Sequence, residues 1–147
     1  MTFALPLLLA LGFSSTGCQP DPCQTTARAA LAGHYGKLAP WQVAGYTLIL
    51  DRKPIAQGHM LLTHYYGYEP DGKVDCKGRP CTLRTAACNR LPQGTFIWTD
   101  AEGLRQVRDS GSKANDRVAN RLEKLWCDYW WPRWRAQPKD VHYVAVR

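Results

Sequence analysis

The chain has 147 residues, which leaves room for one domain plus an export segment. Nineteen Lys and Arg against twelve Asp and Glu give a formal charge of +7, a balance that favours anionic partners such as cell-wall polymers, lipid headgroups or nucleic acid. Neither a CxxC nor an HxxxH pair occurs among the six cysteines and four histidines, which argues against zinc, and no metal or other cofactor is expected.

Residues 1–17 (MTFALPLLLALGFSSTG) carry no charge and hold an apolar run at 3–13, too short to cross a bilayer as a helix. With the small residues Ser15 and Gly17 ahead of Cys18, this segment reads as a signal peptide removed on export; the alternative is a buried N-terminal helix. Removing an uncharged segment leaves the whole charge on the mature chain, and export argues against nucleic acid as a partner. Ser15-Thr16-Gly17-Cys18 also resembles a bacterial lipoprotein signal, which implies a lipidated Cys18 as the mature N-terminus and a membrane anchor. The rival is a freely secreted chain with Cys18 in a disulfide. The expected location is accordingly the periplasm or the outer membrane if the source is bacterial, and otherwise outside the cell. In an exported domain of this size Cys18, Cys23, Cys76, Cys81, Cys88 and Cys127 read as a disulfide framework, and the sequence leaves all 15 pairings of six cysteines open.

Residues 18–45 read as a linker, QPDPCQTT, followed by a short helix at 27–32 that ends near Gly33 or Gly36. From 46 to 147 the period becomes that of a β domain. Residues 46–50 (YTLIL) predict a strand, 51–54 (DRKP) a turn, and 58–66 a second strand. Residues 67–82 form a long Gly- and Pro-rich loop, with Asp71 as a turn residue and Cys76 and Cys81 as its clip. The hairpin is clearest at 95–99 (TFIWT) and 104–109 (LRQVRD), joined by Asp100-Ala101-Glu102-Gly103. Alternation should put Asp109 on the same side as Val107, emerging at the barrel mouth. A helical stripe of Val118, Leu122, Leu125 and Trp126 predicts a helix over 116–126, with Asn115 as cap and Asp116 in its first turn. Residues 141–146 (VHYVAV) read as a strand buried on both faces.

Several of these segments form a pattern together. Thr85-Ala86-Ala87 leads into Leu91-Pro92-Gln93-Gly94-Thr95, and Asp109-Ser110-Gly111 closes the partner strand. Upstream stand Thr63-His64-Tyr65-Tyr66-Gly67; downstream, Asp128-Tyr129-Trp130 follows an insert at 114–126. Over residues 58–147 this resembles the double-psi β-barrel of rare lipoprotein A and of the three-aspartate domain in membrane-bound lytic transglycosylase A. The resemblance implies a mainly β fold, a six-stranded double-psi β-barrel with one or two short helices. It also implies an exported enzyme acting on peptidoglycan or a related cell-wall glycan in the manner of a lytic transglycosylase. A non-catalytic glycan-binding barrel and an endoglucanase-type hydrolase are the alternatives on the same fold.

Cleaving a glycosidic bond needs a carboxyl group that keeps its proton near neutral pH, and partial burial provides one. The expected acid/base is Asp109, with Asp128 orienting or polarising the site; the bland readings are a turn cap for Asp109 and a structural carboxylate for Asp128. Sugar faces stack on aromatic rings, so one of Tyr65 and Tyr66 should line the groove, together with Trp131 or Trp134, while Trp126 is core. The run WWPRWR at 130–135 has a membrane interface as a further use. His64 and Thr85 complete the expected substrate contacts, with a structural role as the alternative for His64.

Overall fold

The computed structural model describes residues 22–69, 72–136 and 140–147. The expectations for residues 1–17, Cys18 and Asp71 lie outside them. Alternation along one long strand decides what enters the core. In β1 (Ala56–Tyr66) Met60, Leu62, His64 and Tyr66 are buried, and the residues between them are half-exposed. With β2 (Thr85–Ala87), β3 (Phe96–Thr99), β4 (Gly103–Asp109), β5 (Leu125–Trp131) and β6 (Asp140–Val146), this strand closes a six-stranded barrel in the order β1-β5-β2-β4-β3-β6. The β1–β5 and β2–β4 pairs are parallel and the other four antiparallel. The fold is mainly β, a closed barrel with a few short helices.

Met60, Leu62, Ile97, Val107, Cys127 and Tyr129 belong to the core cluster that fills the barrel. A second cluster lies on the outside, where α1 (Pro22–His34) and α2 (Pro40–Asp51) cover β3 and β6: Ala27, Tyr46 and Ile49 pack on Phe96, Trp98, Val144 and Val146. The two-sided burial expected of 141–146 follows from this. Even-numbered valines face the helices, while Val141, Tyr143 and Ala145 face the barrel.

Helix α1 begins at Pro22, inside the expected linker, and runs past the expected 27–32 to His34, and two further expectations change. Residues 46–50 form the last turns of α2 and not a strand, and α2 runs across position 46 without a break. Pro40 begins that helix with a φ already suited to it, and the Gln42 side chain accepts a hydrogen bond from the Ala39 amide at 2.9 Å. Tyr46 and Ile49, three apart, then fall on the face that meets the barrel. That packing outweighs the strand propensity of YTLIL. Second, α3 covers Lys113–Leu122 and ends at Glu123 in the left-handed region, so Leu125 and Trp126 begin β5. Ser112 caps α3, its hydroxyl accepting from the Asn115 amide at 3.1 Å, and Asp116 does stand in the first turn. The stripe with Leu122 does not face a core, for Leu122 is 53% exposed. Ala119 is the buried residue of α3.

Helix α2 approaches the sheet most closely at Gly45, where a Cβ would stand 2.6 Å from both Leu104 Cδ2 and Phe96 Cδ1. Gly45→Val should therefore overpack this contact and cost about 1–3 kcal/mol. The urea midpoint measures it, and an unchanged midpoint would contradict the close approach.

Candidate active site

Tyr65, Asp109 and Asp128 come from three strands to one open cleft of about 510 Å³, which Glu69, Asp75, Cys76, Ala87 and residues 110–112 also line. The parity of the strands puts them there. Cys127 and Tyr129 point into the barrel, so Asp128 between them points out. On β1 the same rule turns Thr63 and Tyr65 outward, and the parallel register sets Thr63 opposite Asp128.

Asp128 is held from both sides. Thr63 Oγ1 donates to its Oδ1, and Asn115 Nδ2 donates to its Oδ2 at 3.0 Å. The Trp126 indole N–H donates to Thr63 Oγ1 at 2.8 Å, which fixes the hydroxyl in turn. Burial pushes the Asp128 carboxyl above the usual aspartate range, and the hydrogen bonds from Thr63 and Asn115 offset this only in part. Asp128 is thus easier to protonate than an aspartate in water.

Asp109 reaches the cleft by an irregularity. Ala86 pairs with Val107 but Ala87 pairs with Asp109, so β4 takes two steps where β2 takes one. Val107 enters the barrel core, while Asp109 joins Ala87, Tyr65 and Asp128 around the cleft. The expectation that Asp109 would share the side of Val107 is corrected by this bulge. Its Oδ1 accepts from the amides of Cys76 and Ser110, both at 2.8 Å, and its Oδ2 accepts from Tyr65 Oη at 3.2 Å. Burial and the neighbouring Asp109 push the Tyr65 phenol far above its ordinary value, so that this hydroxyl remains a donor.

The loop that supplies Cys76 is organised by Asp75, a residue the sequence reading passed over. Val74 bridges to Pro80, and the Asp75 amide donates to Arg79 O at 2.8 Å. Asp75 Oδ1 accepts from the amides of Lys77 and Arg79 at 2.9 and 3.0 Å, and Oδ2 accepts from Arg79 Nε at 2.7 Å. Burial would raise this carboxyl, but the hydrogen bonds from Arg79 and Lys77 outweigh it and hold Asp75 below the usual range. The signal available in sequence was Asp75-Cys76-Lys77-Gly78, an Asp followed three residues later by Gly, which suits a tight turn.

The other expected contacts lie elsewhere. His64 points into the barrel, where Nε2 is 2.8 Å from Glu102 Oε1; both side chains are almost wholly buried. Burial lowers its pKa, and Glu102 counters this only partly. Trp131 donates from its indole nitrogen to Glu102 Oε2 at 2.9 Å, and the Arg105 guanidinium lies over its ring and that of Tyr129. Tyr66 is buried, stacked on Tyr68 with ring centres 5.3 Å apart. Thr85 has no exposed surface and its hydroxyl accepts from the Thr82 amide at 3.1 Å. Trp134 is 69% exposed and is not among the cleft residues, and Trp126 stands beside Thr63 rather than in the core cluster. Of the expected disulfide cysteines, Cys76, Cys81, Cys88 and Cys127 are thiols here, and the Cys23 side chain lies outside the described residues.

Among the described residues no group of three or more His, Cys, Asp or Glu side chains is placed to hold a metal ion, and no helix is long and apolar enough to cross a membrane. Comparison with protein-family models, with curated proteins and with solved structures finds no match to this chain.

Replacing Asp75 by Ala should release the loop and lower stability by about 2 kcal/mol, the scale of lost hydrogen bonds to a charged group. Because the folded pKa is depressed, this contribution is present above the unfolded aspartate value and is lost as pH falls through the folded one. Urea midpoints of the two proteins should therefore differ at pH 7 and converge in strong acid; parallel curves across that range would count against the clip.

Proposed function

We propose that the chain is an exported double-psi β-barrel enzyme that cleaves a cell-wall glycan, peptidoglycan or a close relative, by lytic transglycosylation. The observation that carries this reading is the meeting of Asp109, Asp128 and the phenol of Tyr65 in one open cleft. The uncharged segment at 1–17 supports export, and the order of Thr85-Ala86-Ala87, Leu91-Pro92-Gln93-Gly94-Thr95 and Asp109-Ser110-Gly111 supports the barrel type. Beside the cleft, Lys77, Arg79 and Arg108 border a smaller one of about 180 Å³, which suits a glycan that carries acidic groups.

In this reading the roles of the two aspartates differ from the sequence expectation. Asp128, favoured in its neutral form by burial, donates its proton to the glycosidic oxygen as the bond from that oxygen to C1 breaks. The sugar's own 6-hydroxyl attacks C1, its proton passes to Asp109, and the product is a 1,6-anhydro sugar. Thr63 and Asn115 keep Asp128 aimed, and the Cys76 and Ser110 amides keep Asp109 aimed. A water in place of the 6-hydroxyl would make the same pair a hydrolase, inverting where the carboxyl groups stand about 6.5–9.5 Å apart.

Incubating the purified protein with peptidoglycan should release soluble anhydro-muropeptides. Asp128→Asn and Asp109→Asn should each lower that release about 100-fold or more. Activity should fall as pH rises through the Asp128 value, which lies above the ordinary 3.8. Glycan binding without release would favour the binding-module reading, and undiminished cleavage by Asp128→Asn would remove its assignment as the acid.

A further inference from the structure

We infer that Cys88 and Cys127 form a disulfide that ties the end of β2 to β5 on the barrel-interior side of the cleft. The register places them: β2 and β5 run antiparallel with Ala86 opposite Tyr129 and Ala87 opposite Asp128, and one further step sets residue 88 opposite residue 127. Cα atoms opposed in an antiparallel pair stand roughly 4.5–5.5 Å apart, inside the range of about 4.4–6.8 Å that a disulfide accepts. Parity turns both side chains inward, and both belong to the apolar cluster of the barrel, 3% and 0% exposed. Each sulfur feels the other electrostatically, and Cys88 Sγ donates to Trp126 O, the carbonyl next to Cys127, at 3.5 Å. The other two described cysteines have different neighbours. Cys81 Sγ lies 3.7 Å from Tyr65 Oη, and Cys76 Sγ lies 3.6 Å from Arg108 O.

The bond forms by thiol–disulfide exchange with an external disulfide, either of low molecular weight or in an oxidoreductase. The Cys88 thiolate attacks one sulfur of that disulfide and expels the first thiol. Cys127 then gives up its proton, attacks the Cys88 sulfur and expels the second. Two protein thiols lose two protons and two electrons, and one external disulfide becomes two thiols. Both sulfurs are buried in the closed barrel, so the exchange precedes the seating of β5. The closed loop contains Asp109, and Asp128 adjoins its end, so the bond would hold the strands of both carboxylates in register. The inference rests on the export part of the proposed function, which supplies an oxidising compartment, and not on the glycan.

To test it, the full chain is unfolded, refolded in a buffer of glutathione and glutathione disulfide, alkylated in denaturant, and digested with trypsin without reduction. Mass spectrometry should find the peptide 85–90 joined to 125–133, lighter than their sum by two hydrogens and separated by reductant. Recovery of both as separately alkylated peptides, or of either joined to another cysteine, overturns the pairing. Cys88→Ser and Cys127→Ser should each leave an alkylatable thiol at the other position. Each should also have a denaturant midpoint that reductant no longer lowers, and a wild-type midpoint indifferent to reductant overturns the bracing role.

Discussion

The barrel depends on β5 having partners along both edges. It runs parallel to β1 over seven residue pairs and antiparallel to β2. A strand paired on both sides has little freedom to slip, since a shift of one residue would turn Cys127 and Tyr129 out into water and Asp128 into the apolar interior. Tyr129 is among the largest fully buried side chains, and losing its burial would cost several kcal/mol, roughly the scale of an aromatic truncation. The same pairing that secures the core therefore fixes the direction in which Asp128 points.

Coupling of core and cleft recurs around the barrel. The parity of β1 sends Leu62 and His64 inward and Thr63 and Tyr65 outward, so the residues that hold and face the two aspartates are interleaved with residues that fill the core. β4 follows the same rule as far as Val107 and then breaks it, and the extra step brings Asp109 round to the cleft. A regular strand would have carried that carboxylate toward the barrel interior, where burial of an unpaired charge is costly. Bulges serve this purpose in many sheets, re-aiming one side chain at the end of a strand.

The interior is not wholly apolar. His64, Glu102, Trp131 and Arg105 form a buried polar group in which the Glu102 carboxylate accepts from the ring nitrogens of His64 and Trp131. Arg135 approaches the same carboxylate at 3.7 Å. Such a group stabilises little beyond a hydrophobic replacement, but removing one partner leaves another buried and unpaired. His64 and Trp131, expected among the sugar contacts, both bond to Glu102 in this cluster.

Much of the barrel is legible from the residues in order. The 95–109 hairpin, the 58–66 strand and the doubly buried final strand are short runs of apolar, aromatic and β-branched residues bounded by turn residues, a signal that local sequence displays. Asp109 and Asp128 stood out for their place beside Ser110-Gly111 and in an aromatic run. The misread segments are those whose local preference was outvoted. YTLIL favours a strand by composition but is helical because Tyr46 and Ile49 cover the outside of β3 and β6. Leu125 and Trp126 continue a helical spacing yet join β5, because both edges of that strand find partners far away in sequence. The bulge at Asp109, the Asp75 clip and the contact of Thr63 with Asp128 had no local signature strong enough to place them. Each joins or re-aims groups by tertiary pairing, and only the closed barrel brings those groups together.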